Sequence, residues 1–140
     1  MKQKFYLDTA IWRDYFEDRR DNFQPLGEFA FQFLKNCEKH SCEVLYSSLV
    51  KRELLAHYSK ERVQQVFSSF LGVLHEVKVC PEHLDEAKRV GRTVHDSHTA
   101  DILHAILARD SEAIMITRDK HFDALNSIVE ILKPEEVNFF

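Results

Sequence analysis

The chain predicts an α/β domain with a central parallel sheet flanked by helices, and two observations carry that expectation. Short apolar runs, KFYL at residues 4–7 and AIMIT at residues 113–117, end abruptly at or just before an acid, Asp8 and Asp119. Between such runs lie longer segments whose apolar residues recur at helical spacing. Strands separated by helices pair in parallel through right-handed crossovers. With only 3 Gly and 3 Pro in 140 residues and no internal repeat, the pattern is that of one compact, helix-rich domain spanning residues 1–140.

Taken in order, residues 4–7 read as a first strand buried on both faces, and residues 12–16 begin a helical stretch. A charged loop, DRRDN, separates it from residues 26–37, where Phe29, Phe33 and Cys37 lie four apart on one helical face. Residues 43–47 read as the second strand, and residues 49–58 as a helix carrying Glu53. Residues 61–77 carry Val63, Val66, Phe67, Phe70, Leu71 and Leu74, a stripe that predicts one long helix packed on the core. Pro81 opens another helix, at a position where proline forfeits no hydrogen bond, running towards His95. Ser97 or Thr99 is placed to cap the next helix, whose apolar Ile102, Leu103, Ile106 and Leu107 leave Asp101 on its first turn. Residues 113–117 form a buried strand, Asp119 starts a short helix, and residues 128–132 form a last strand.

At 44% hydrophobic with 11 Phe, the chain has material for an aromatic-rich core. No run of apolar residues is long enough for a signal peptide or a membrane span, so a soluble, cytoplasmic protein without a membrane partner is expected. Three cysteines, Cys37, Cys42 and Cys80, form no C-x-x-C pair and suit reduced thiols. The net charge of −4 argues against a broad basic face. Setting aside four acids proposed below leaves the other carboxylates equal in number to the 19 Lys plus Arg, so the rest of the protein is formally neutral.

Those four acids are Asp8, Glu53, Asp101 and Asp119. Singly, each has an ordinary explanation: a loop or cap aspartate, a solvated helix face, an early-turn acid that favours the helix dipole. Together, at the carboxyl ends of parallel strands where ligands bind, they predict one site. Carboxylates brought together repel unless a cation neutralises them, and a hard divalent ion takes oxygen ligands. Two such ions would stabilise the attacking and leaving oxygens of an in-line displacement at phosphorus.

The acids and their neighbours resemble the PIN-domain nucleases, which include the VapC-type toxins of toxin–antitoxin pairs. The resemblance rests on Leu7-Asp8-Thr9, on Ser48-Leu49 followed by Glu53, on Asp101 with Ala105 and Ala108, and on Thr117-Arg118-Asp119 with Phe122. It covers essentially the whole chain and implies a single PIN-like domain. It also implies a metal-dependent endoribonuclease using Mg²⁺ or Mn²⁺, with RNA as substrate, an antitoxin protein as partner and room for a homodimer. Asp8 and Asp101 are then the principal ligands, with Asp119 and Glu53 completing the site or orienting water. Thr9, Ser48 and Thr117 are supporting hydroxyls, and Arg118 and Lys120 are candidates for holding phosphates, with Arg13, Arg19 and Arg20 at the mouth. Two departures stand out: Arg118 occupies a place where a small polar residue is common, and the HDSHTAD lead-in to Asp101 has no counterpart.

Other classes are less well served. A zinc site from His95, Asp96, His98, Asp101 and His104 lacks any H-E-x-x-H or Cys/His finger spacing. A receiver domain needs an acidic pair after its first strand, where LDTA supplies one acid, and a lysine after its last, where Lys133 is a partial match. A haloacid-dehalogenase-type phosphatase needs D-x-D, and Ala10 stands in the second acid's place. A catalytically silent PIN fold serving as a binding module would have had no need to keep four acids.

Overall fold

The computed structural model describes residues 2–95 and 97–140. Among these residues five strands, β1 (Lys4–Leu7), β2 (Glu43–Ser47), β3 (Leu74–Val77), β4 (Ile114–Ile116) and β5 (Ile131–Leu132), form one sheet in the order β3-β2-β1-β4-β5. Every pairing is parallel. Six α-helices accompany them: α1 (Thr9–Glu17), α2 (Leu26–Lys39), α3 (Ser48–Leu55), α4 (Lys60–Ser69), α5 (Pro81–Gly91) and α6 (Thr99–Asp110). Two 3-10 turns, Lys120–Leu125 and Pro134–Glu136, follow β4 and β5.

Strand β1 is central because its residues tolerate no water: Phe5, Tyr6 and Leu7 are all fully buried. Helix α6 is buried almost all round, from Ile102 to Ala108, which is why its apolar residues show little one-sided periodicity. Helices α1 and α2 meet through bare backbone. A Cβ on Gly27 would lie 2.5 Å from Cα of Asp18 and 2.9 Å from the carbonyl oxygen of Asp14.

The stripe over residues 61–77 is not one helix. Helix α4 ends at Ser69, a turn carries Gly72, and Leu74–Val77 becomes strand β3 beside β2. Phe70 and Val73 are buried on either side of that break, so the apolar spacing is shared by a helix end and a strand start. The final strand is also shorter than residues 128–132, since Ile128 and Val129 close the 3-10 turn through bonds to the Leu125 carbonyl.

The chain builds β1, β2 and β3 outward in one direction, then crosses back to place β4 and β5 on the other side of β1. The strand order reverses between β1 and β4, and ligands bind in the crevice outside the carboxyl ends at such a reversal. Receiver domains have the order 2-1-3-4-5, so this sheet is not theirs. No helix among the described residues is long and apolar enough to cross a membrane. Cys37, Cys42 and Cys80 are all free.

Candidate metal centre

Register sets the site. Leu7 pairs with Ile116, and the Asp8 N–H bonds the Ile116 carbonyl at 2.9 Å, so Asp8 and Thr117 leave the sheet side by side. Asp8 is the N-cap of α1, yet its carboxylate makes no capping bond. Instead its Oδ2 accepts from Thr117 Oγ1 at 3.0 Å. The same hydroxyl oxygen accepts from the Asp119 N–H at 3.0 Å, fixing the loop after β4.

Asp8, Glu53, Asp101 and Asp119 all line one cavity of about 220 Å³, together with Thr9, Ala10, Arg13, Arg19 and His57. The four acids share a further property. One oxygen of each is held by a protein donor: Asp8 Oδ2 by Thr117, Glu53 Oε1 by Thr9 and His104, Asp101 Oδ2 by the His98 N–H, and Asp119 Oδ1 by the His121 N–H. The other oxygen of each has no hydrogen-bond partner among the described residues. A cap-like use of Asp101 and Asp119 is therefore real, and it consumes half of each carboxylate.

Asp8 is only 7% exposed, and burial pushes its pKa up to about 6, with the Asp101 and Asp119 charges adding to the rise. The neighbouring His104 and the Thr117 hydrogen bond act in the opposite sense. Glu53 goes the other way: burial works against its charge, but the His104 and Thr9 hydrogen bonds, together with nearby positive charge, outweigh it and its pKa is lowered. Two acids of one cavity are thus held in different states of readiness to ionise.

Behind Glu53 runs a buried polar chain that sequence spacing did not disclose. His104 is 1% exposed; its Nε2 lies 2.8 Å from Glu53 Oε1 and its Nδ1 2.7 Å from the Tyr6 hydroxyl, which lies 2.8 Å from Ser47 Oγ. Burial raises the Tyr6 pKa far enough that the hydroxyl keeps its proton. The signal was present in outline, since His104 stands one helical turn after Asp101 and Tyr6 two residues before Asp8.

Several expected placements are corrected. The serine that matters at the β2 end is Ser47, buried and capping α3 through the Val50 N–H, whereas Ser48 is exposed. Arg118 does not face the cavity: its guanidinium is forked onto Glu135 at 2.7 and 2.5 Å and lies over the Phe29 ring. Helix α6 is capped at His98, not at Ser97 or Thr99. Among the described residues no three His, Cys, Asp or Glu side chains are gathered as a ready-made ion site. The zinc alternative fails on His104, which is enclosed by Tyr6 and Glu53; its Asp96 lies outside the described residues. Of the arginines expected at the mouth, Arg13 and Arg19 line the cavity and Arg20 does not.

The donor set fits a hard cation of the magnesium type. Such an ion keeps several waters and is held through only one or two carboxylates, which four singly available oxygens around one cavity supply without a closed cage. It does not fit a closed structural zinc site.

No model of a known protein family matches the chain, and no curated protein matches it. Solved structures do. VapBC2 from Rickettsia felis, crystallised with a DNA fragment from the promoter, is similar with a TM-score of 0.68 and 19% identity over 94% of this chain and 98% of that one. FitAcB from Neisseria gonorrhoeae is similar with a TM-score of 0.62 and 19% identity over 95% and 99% of the two chains. At that identity the likeness establishes the fold alone, a PIN-like α/β domain with a five-stranded parallel sheet.

Proposed function

We propose that this protein is a divalent-metal-dependent endoribonuclease, using Mg²⁺ or Mn²⁺ to hydrolyse RNA phosphodiester bonds, and that it is the toxin of a toxin–antitoxin pair. The observation that carries the reading is the convergence of Asp8, Glu53, Asp101 and Asp119 on one cavity, each with one oxygen held and one available. A bound divalent ion would supply charge neutralisation of the acids and stabilise negative charge on the phosphate oxygens. Asp8 and Asp101 are assigned as its principal ligands, with Asp119 completing the set.

The protein's own contribution is preorganisation. Thr117 fixes Asp8 and the Asp119 backbone with one hydroxyl, and the β1–β4 register fixes Thr117. Thr9, on the first turn of α1, and His104 hold Glu53, which is assigned to orient the attacking water. Groups held before the substrate arrives need little reorganisation during the reaction. Arg13 and Arg19 line the cavity wall, both paired with Glu17, and would have to exchange part of that pairing to meet substrate phosphates.

RNA as the substrate comes from the resemblance to VapC-type toxins alone; an antitoxin as the partner comes from the same resemblance, and similarity to the VapBC2 and FitAcB structures supports it. Cleavage of a mixed RNA pool with Mn²⁺, with Mg²⁺ and with chelator, followed by mapping of the cut ends, tests the reading. Metal-dependent cuts that disappear in Asp8→Asn support it. Purified protein that binds Mn²⁺ yet cuts no RNA would instead make this PIN fold a binding module.

A further inference from the structure

The buried chain behind Glu53 has a direction. An ionised carboxylate only accepts hydrogen bonds, so the His104 Nε2 that lies 2.8 Å from Glu53 Oε1 carries the proton. In a neutral ring Nδ1 is then an acceptor, and the donor available to it is the Tyr6 hydroxyl at 2.7 Å. The Tyr6 oxygen is in turn free to accept from Ser47 Oγ at 2.8 Å, and Ser47 Oγ accepts from the Val50 N–H. With the ring neutral every donor points towards Glu53; a doubly protonated ring would donate from Nδ1 to Tyr6 and reverse that half of the chain. Thr9 Oγ1 reaches the same Oε1 from the other side at 3.2 Å.

We propose that His104 is a positioning residue in its Nε2–H tautomer, which pins Oε1 of Glu53 so that this acid offers its other oxygen alone to the cavity. Glu53 is thereby made a one-oxygen acceptor suited to orienting a water, and it is barred from gripping an ion with both oxygens. The inference rests on the nuclease reading and adds what that reading lacks, a division of labour among the acids. Asp8 and Asp101 belong to the ion, while Glu53 belongs to the water through His104. A purely structural histidine could share that tautomer; what it would not do is change the cleavage rate while Mn²⁺ affinity holds.

The test uses the full chain and four variants: Tyr6→Phe, His104→Gln, His104→Ala and Glu53→Gln. Nitrogen-detected NMR of the imidazole reads the tautomer directly, Mn²⁺ titration calorimetry reads the ion, and single-turnover cleavage of an RNA pool at saturating Mn²⁺ reads the water step. The wild-type ring should be Nε2–H; Glu53→Gln, which removes the acceptor-only carboxylate, should lose that single tautomer, whereas Tyr6→Phe should keep it and leave Nδ1 without its donor. His104→Ala should slow cleavage about 10- to 100-fold, the usual cost of removing the partner that orients a site carboxylate, while Mn²⁺ affinity changes much less. His104→Gln, whose amide N–H can reach Oε1 at similar volume, should recover part of the rate, and it guards against a mere packing defect. An Nδ1–H ring, a doubly protonated ring, or Mn²⁺ affinity that falls in parallel with the rate in His104→Ala and Glu53→Gln, would overturn the inference. Wild type that cuts while His104→Ala cuts equally fast overturns the inference alone; wild type that cuts no RNA overturns the nuclease reading and the inference with it.

Discussion

Thr117 donates its hydroxyl to Asp8 Oδ2 at 3.0 Å across the β1–β4 boundary, and through that bond the register of two strands becomes the geometry of a site. The bond also explains why Asp8 is not an ordinary cap. Its carboxylate is taken by the neighbouring strand before it can reach the N–H groups of its own helix.

Burying Asp8 beside two other acids stores repulsion, and stability should show it. Its pKa in the folded protein is about 6 against 3.8 when free, so between those values the folded state holds more protons than the unfolded one. Stability from this group is therefore greatest at low pH and is lost as pH rises through about 6. Asp8→Asn removes this pH-dependent penalty, and should raise stability at pH 7.5 by about 1–3 kcal/mol while leaving stability at pH 4 nearly unchanged. Glu53, with its lowered pKa, contributes in the opposite sense, losing its share as the solution becomes acidic. Thermal denaturation of both proteins across pH 4 to 8 measures the difference; a gain from Asp8→Asn that grows towards acid would reverse the sign of the argument.

Arg118 is a fold residue, and its removal should read as one. Arg118→Ala loses the fork to Glu135 and the cover over Phe29, and should cost about 1–3 kcal/mol of stability. Arg118→Lys should recover little, because an ammonium cannot reproduce the fork. Mn²⁺ affinity and the salt dependence of RNA binding should stay as in the wild type. A flattened salt slope with stability intact would return Arg118 to the substrate.

Gly27 gives an independent check on how α1, the helix that starts at Asp8, is seated. With Cα of Asp18 only 2.5 Å from where a Cβ would stand, Gly27→Ala must push the two helices apart. The expected cost is about 1–3 kcal/mol by denaturant titration, the range for overpacking a tight contact. A neutral effect would mean that α1 and α2 do not meet there through backbone.

Much of this was legible in the chain, for physical reasons that differ by residue. Residues 4–7 and 43–47 are recovered as strands because central parallel strands are buried on both faces and read as short apolar runs. Asp8, Asp101 and Asp119 stand out because they mark helix starts, whereas Glu53 lies in the second half of α3 and is marked by the resemblance. Strand β3 is not, since Phe67, Phe70, Leu71 and Leu74 keep helical spacing across a turn whose one local mark is Gly72. The joint role of Tyr6, Ser47 and His104, the last read from sequence only as a zinc candidate, is not legible because it exists only after three distant segments pack together. Arg118 misleads for the same reason: a cation beside an acid in sequence is claimed by Glu135, which arrives from beyond β5.

Anomalous diffraction from crystals soaked in Mn²⁺ tests the central claim most directly, because Mn²⁺ marks its own position without reference to substrate. A peak should appear in the cavity between the unpartnered oxygens, within coordination distance of Asp8 and Asp101, and should vanish in the Asp8→Asn, Asp101→Asn double variant. A peak at the exposed His98–His121 pair, or one that persists in the double variant, would contradict the account, since the ion would then be held by something other than the four converging acids.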